Sequence, residues 1–223
     1  MNSLLIDTSN RPMSVSLMAN DQVLAEHTVE SNKDHSSQLM PGIRNLFEQT
    51  KLNKEELDAV VVAKGPGSYT GVRIGVTTAK TLAYALNTKL YGVSSLQGLA
   101  ATVDESEAKD RLLVSVFDAR REAVYTGVYQ YIDGELRTIL EDQYISTKDL
   151  LDWLNEQHQS YLFIGTDAEK LANQLKGDIQ ANLPRASVMY SLVTEAEDIH
   201  TFVPNYIKMS EAERNWLNQQ NQN

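Results

Sequence analysis

Two stretches of this sequence hold residues able to grip phosphate, and each stands where an apolar run ends. Asp7-Thr8-Ser9 follows Leu4-Leu5-Ile6 and joins a carboxylate to two hydroxyls, groups that can hold a magnesium-bound phosphate. The same three residues equally suit a strand-end turn closed by side-chain-to-backbone hydrogen bonds. Lys64-Gly65-Pro66-Gly67-Ser68-Tyr69-Thr70-Gly71 follows the apolar run Leu57 to Ala63. Its glycines allow positive φ or close backbone approach, and a helix N-terminus behind them favours an anion. The spacing matches neither a phosphate-binding P-loop, which ends in Gly-Lys-Ser/Thr, nor the dinucleotide fingerprint. A tight strand-to-helix turn that packs its helix closely is the other reading.

Metal and nucleophile chemistry finds less support. The four histidines, His27, His35, His158 and His200, include no pair at a ligand spacing such as i, i+4. His35-Ser36-Ser37 reads most simply as the start of a helix. With no cysteine in the chain, a disulfide framework, a thiolate zinc site and a cysteine nucleophile are excluded. Asp118-Ala119-Arg120-Arg121-Glu122 suits a local ion-pair turn or a surface that faces a partner. The net charge of −10 repels phosphate backbones, so strong binding of nucleic acid by the chain alone is not expected.

The elements that must position these residues follow from periodicity. Leu4–Ile6, Met13–Met18 and Val23–Val29 read as three antiparallel strands. A helix from about Ser36 to Gln49 carries Leu39, Met40, Ile43, Leu46 and Phe47 on one face, with Pro41 near its start. Leu57–Ala63 reads as a strand buried on both faces, followed by the glycine loop, a helix from about Val72 to Leu86, a strand at Lys89–Val93 and a short helix at Ser95–Thr102. Asp104 to Asp110, charged and polar, marks the expected boundary between lobes at 1–103 and 104–223. Beyond it come strands at Leu112–Phe117, Glu122–Tyr131 and Glu135–Tyr144, the last two joined across Asp133-Gly134. Helices at Thr147–Gln157 and Asp167–Lys176 flank a strand at Tyr161–Ile164. Each half thus runs three strands, helix, strand, helix. Residues 218–223, all Asn and Gln, form the expected disordered tail. No basic-then-apolar leader opens the chain, and no apolar run approaches the roughly 20 residues that span a bilayer, so a soluble cytoplasmic protein is expected.

Taken in order, Leu5-Ile6-Asp7-Thr8-Ser9, His35-Ser36, Gly65 to Gly75, Asp118 to Tyr125 and Pro204-Asn205-Tyr206-Ile207-Lys208 resemble the TsaB family, also called YeaZ. The resemblance covers nearly the whole chain, and the glycine block is its most specific part. It implies an α/β fold of the actin-like ATPase type (acetate kinase, Hsp70 and actin, RNase H-like), with a mixed sheet and flanking helices in each of two lobes. It also implies a non-catalytic partner subunit in the synthesis of N6-threonylcarbamoyladenosine at position 37 of tRNA. The implied partners are TsaD as a heterodimer and the ATPase TsaE in a ternary complex, with tRNA met only through the complex and a homodimer when TsaD is absent.

In TsaD a matching loop and helix lead to a metal-holding His-Leu-Glu-Gly-His motif. The corresponding residues here are Ser95-Leu96-Gln97-Gly98-Leu99, and a hydroxyl and an isobutyl group cannot replace two imidazoles. No catalytic residue, metal or cofactor is therefore expected. A peptidase-like or sugar-kinase-like enzyme of the same superfamily is the alternative. The resemblance places pairing on the two N-lobe helices, through Met40, Arg44, Phe47, Val76, Ala79, Leu82, Ala83 and Leu86. Burial of that face within the core is the competing reading. Gly65, Gly67, Gly71 and Gly75 are expected to be structural. The acidic stretch Ser191 to His200 departs from the family pattern, where a longer apolar helix is expected before Pro204.

Overall fold

A computed structural model describes residues 1–30 and 35–208; the expected tail at 218–223 lies outside them. The first half opens with β1 (Asn2–Asp7), β2 (Pro12–Ala19) and β3 (Gln22–Glu30), then α1 (His35–Thr50), β4 (Ala59–Ala63), α2 (Tyr69–Leu86) and β5 (Lys89–Val93). Two short helices, α3 (Ser95–Ala100) and α4 (Glu105–Ala108), lead to β6 (Leu112–Asp118), β7 (Ala123–Ile132) and β8 (Glu135–Ser146). Then come α5 (Thr147–Glu156), β9 (Tyr161–Ile164), α6 (Thr166–Lys170), α7 (Ala172–Leu175) and β10 (Ile179–Gln180).

The two sheets share one topology. Their strand orders are β3-β2-β1-β4-β5 and β10-β9-β6-β7-β8. In each, three antiparallel strands are extended by two parallel ones reached through helices. Asp7 and Asp118 close the equivalent central strands, and α2 and α6 follow the equivalent parallel strands.

β1 and β4 are apolar on both faces because both faces are covered. Leu4, Ile6, Val60 and Val62 pack under α1 and α2, while Leu5, Val61 and Ala63 face Ala186 and Met189 on the other side. In the second sheet, Leu113 and Phe117 meet Leu96 and Leu99 of α3, whereas Val114 and Val116 meet Leu150 of α5 and Ala168 of α6.

Three features differ from expectation. The helix expected over Asp167–Lys176 is two short helices, because Leu171 leaves helical geometry at φ −95° and ψ 10°. This lets Leu171 and Leu175 both turn into the core beneath α5. Second, part of the chain beyond residue 104 crosses back to the first sheet. A 3-10 segment, Ala186–Leu192, returns to the first sheet, and Phe202 enters the core under α2. Third, no long apolar helix precedes Pro204. Glu197 instead pairs backbone to backbone with Leu90 and its carboxylate meets Lys64 Nζ at 2.9 Å. Asp198 accepts from the backbone N–H of His200 and Thr201, which stabilises a turn where a helix was expected. Glu197 and Asp198 are therefore spent on a strap that runs back along the first lobe.

Candidate functional site

The Asp7-Thr8-Ser9 turn and the glycine block meet, and they fill each other. Asp7, Thr8 and Ser9 are each at most 3% exposed. Asp7 Oδ1 accepts from the Ser9 backbone N–H at 2.8 Å and from Ser9 Oγ at 2.7 Å. Thr8 Oγ1 donates to the Gly71 carbonyl at 2.8 Å, and Ser68 N donates to the Ser9 carbonyl at 2.6 Å. At the start of α2, Ser68 Oγ accepts from Gly71 N, so the helix caps itself. The groups that would face a phosphate are engaged with the protein's own backbone and hydroxyls.

Close approach accounts for the glycines. A Cβ on Gly67 would overlap the Ser9 carbonyl, one on Gly71 the Thr8 carbonyl, and one on Gly75 the Thr8 hydroxyl. Gly65 has φ +106°, and a Cβ there would sit 2.7 Å from the Asn205 carbonyl oxygen of the strap. The tight-turn reading is the one this geometry supports. Asn205 N in turn donates to the Lys64 carbonyl at 2.7 Å, so the Pro204 to Lys208 motif docks on the glycine loop.

Burial lifts the Asp7 carboxyl above the usual carboxylate range, against the lowering effect of its bonds to Ser9 and of nearby His35. The folded chain then holds this proton more firmly than the unfolded chain, so stability is lost as pH rises from the ordinary carboxylate range through the raised value. Asp7→Asn keeps an Oδ1 acceptor for both Ser9 bonds and removes the charge. Urea melts are expected to show a more stable variant at pH 7, with the gain shrinking toward pH 4. A variant less stable than wild type at pH 7 would contradict this account of the turn.

Ser95 and Leu99, the positions that the resemblance sets against two histidines, do not fit a metal. Ser95 is fully buried, its Oγ accepting from Gly65 N at 3.0 Å while its own N–H donates to the Gly65 carbonyl. Leu99 is 2% exposed and packs in the second core beside Gly165. Among the described residues no three His, Cys, Asp or Glu side chains gather as metal ligands.

The expected pairing residues divide. Val76, Ala79 and Ala83 lie at 2% exposure or less in the first core, and Leu82, Leu86 and Phe47 pack half-buried against it. Val76, Ala79 and Ala83 face the sheet, where small residues let the helix backbone come close. Met40 and Arg44 of α1 do point outward. On α2 the outward positions are Tyr69, Thr70, Arg73, Thr77, Thr81, Tyr84 and Ala85. Tyr69, Arg73, Ile74, Thr77 and Thr78 line an open groove with Ser36 of α1, and Lys80, Thr81 and Tyr84 line a second with Ile199 and His200 of the strap. The Tyr69 ring lies 5.1 Å from Tyr206 and beneath the Arg73 guanidinium, and Tyr84 meets His200 edge to face.

Sequence reasoning also missed a polar cluster between the lobes. Ser94 Oγ donates to Asp142 at 2.5 Å, and Tyr129 Oη donates to the same carboxylate beneath Gly127. No motif joins these residues, which come from three separate elements.

A TsaB protein of Bacillus subtilis (strain 168), described as a tRNA threonylcarbamoyladenosine biosynthesis protein, is 40% identical over 99% of this chain and 100% of its own length. The chain belongs to the TsaB family. A TsaB of Escherichia coli (strain K12) is 32% identical over 58% of the chain and 55% of its own length. The family model described as "TsaD: tRNA N6-adenosine threonylcarbamoyltransferase" matches residues 22–213. Among solved structures, YeaZ from Pseudomonas aeruginosa superposes with a TM-score of 0.80 at 26% identity, covering 92% of this chain and 99% of that one. The YeaZ fold, with its two mixed sheets of matching topology, is thus the fold of this chain. No helix among the described residues is long and apolar enough to cross a membrane.

Proposed function

We propose that this chain is a non-catalytic subunit of the machinery that places a threonylcarbamoyl group on adenosine 37 of tRNA, and that it pairs with and activates TsaD. A place in tRNA threonylcarbamoyladenosine synthesis follows the full-length likeness to the Bacillus subtilis TsaB. The non-catalytic role rests on one observation above others. Ser95 and Leu99, where the resemblance implies two histidines in the catalytic relative, are both spent on internal packing.

Pairing is assigned to the outward face of α1 and α2 with the adjoining strap. Met40, Tyr69, Tyr84, Val203 and Tyr206 are large apolar side chains, each more than 40% exposed, on these elements. Such a grouping is characteristic of interaction surfaces. TsaE joins the pair in a ternary complex, tRNA meets the chain only through the complex, and the same face supports a homodimer when TsaD is absent. The setting is the cytoplasm. A sugar-kinase-like or peptidase-like activity is disfavoured by the filled phosphate turn and the unsuited metal positions.

Reconstitution tests this reading. TsaD, TsaE, tRNA and threonylcarbamoyl-adenylate are combined with and without the chain, and the chain is assayed alone for transfer, peptidase activity and ATP hydrolysis. The expected result is transfer only when the chain and TsaD are both present, and no turnover by the chain alone. Metal-dependent turnover by the purified chain would overturn it.

A further inference from the structure

Asp167 lies 157 residues from Asn10, at the start of α6, yet Asn10 Nδ2 donates to its Oδ2 at 3.0 Å. Three donors converge on this one carboxylate. The second is the backbone N–H of Asp118, at the end of β6, at 3.2 Å. The third is Lys170 Nζ, 2.6 Å from Oδ1. Asp167 is only 6% exposed, so its charge is held away from water and depends on these partners. The carboxylate therefore spans the mouth between the lobes. It ties the turn after β1 to the end of β6 and the start of α6.

The tie continues into the first lobe. The Asn10 carbonyl accepts from His35 Nε2 at 2.8 Å, and His35 is the first residue of α1. His35 also lies against Gly71 of α2. A single run of hydrogen bonds, Lys170 to Asp167 to Asn10 to His35, thus connects the second lobe to the first turn of α1. That turn borders the groove lined by Ser36, Tyr69 and Arg73.

We propose that Asp167 and Asn10 form a latch that holds the lobes closed and so positions the first turn of α1 for its partner. The effect on pairing rests on the assignment of TsaD to this face, whereas the latch itself does not.

The test uses the full chain. Asn10→Ala removes the side-chain donor and keeps the carbonyl that accepts from His35. Hydrogen exchange on the isolated protein is expected to speed about tenfold or more in three separated places: Asp118 to Glu122, α6 and the first turn of α1. Lys170→Ala, which leaves the Asn10–Asp167 bond intact, is expected to change the first turn of α1 little. Asp167→Ala, which removes the acceptor altogether, is measured in parallel and reports the same three segments if Asn10→Ala fails to fold. Faster exchange confined to residues 8–11, or unchanged exchange at α1, would overturn the latch. Binding to TsaD then reads the second half: Asn10→Ala is expected to bind about tenfold more weakly. Wild type that binds TsaD, with Asn10→Ala binding equally well, would overturn the link to pairing. Wild type that does not bind TsaD refutes the pairing assignment instead, while the exchange data still decide the latch.

Discussion

Gly71→Val is expected to abolish folding, and even Gly71→Ala is expected to be strongly destabilised. Gly71 sits in the first turn of α2 with ordinary helical geometry, so no unusual φ explains it. The cause is approach: a Cβ would overlap the Thr8 carbonyl, which belongs to buried backbone at the end of the central strand. Neither wall can give way. Thr8 Oγ1 is bonded to the Gly71 carbonyl, and Ser68 is bonded to Ser9. Overpacking usually costs about 1–3 kcal/mol, and this site, walled by backbone on both sides, belongs at or above the top of that range. Against the roughly 5–15 kcal/mol of a typical domain, the valine variant is expected in the insoluble fraction. Gly134 supplies the contrast: it has φ +80° with nothing within 4 Å, so Gly134→Ala is expected to lose only about 1–2 kcal/mol from the left-handed backbone. Urea melts of the two alanine variants settle the comparison. Gly71→Ala melting with wild type would show that the helix shifts without cost.

Tyr84→Glu is expected to leave the fold intact and to weaken TsaD binding by about a hundredfold or more. The side chain is 69% exposed, so a carboxylate there stays hydrated in the free chain. Within an interface the same charge would be buried unpaired. Ala83→Glu, one residue earlier, is expected to do the reverse. Ala83 is fully buried under the first sheet, and a charge there should unfold the chain before pairing can be measured. Calorimetric titration with TsaD, alongside circular dichroism and melting, separates the two. A folded Tyr84→Glu variant with wild-type affinity would remove this end of α2 from the interface.

The contrast between these neighbours shows where sequence reading succeeded and where it stopped. Apolar β-rich runs named their strands closely: Lys89–Val93 and Tyr161–Ile164 coincide with β5 and β9. The turn at Asp133-Gly134 sits between β7 and β8 as its residues predict. The repeated order of strands and helices was legible, and the matching topology of the two sheets bears it out. The glycine block was legible as a block, but its cause was not, because Thr8 and Ser9 lie about sixty residues away and their approach is a tertiary fact.

The face of α2 was misread for a physical reason. Val76, Ala79 and Ala83 mark the side that meets the sheet, where small residues let the helix sit close, and the threonines and tyrosines opposite carry the outward surface. The strap was equally hidden. Nothing in Glu197 to Phe202 signals a return to the first lobe, since Glu197 acts through Lys64 and Leu90 and Phe202 through the space left by Gly92.

The account stands most directly on whether this chain and TsaD form one complex through the outward side of α2. The measurement is a titration of the wild-type chain into TsaD of the same organism, repeated with Tyr69→Glu and with Val23→Glu, a second exposed apolar position on β3 far from that face in sequence. The account predicts saturable binding by wild type, the same binding by Val23→Glu, and loss of binding by Tyr69→Glu with its fold retained. Absence of any complex with wild type, or equal loss in both variants, would contradict it.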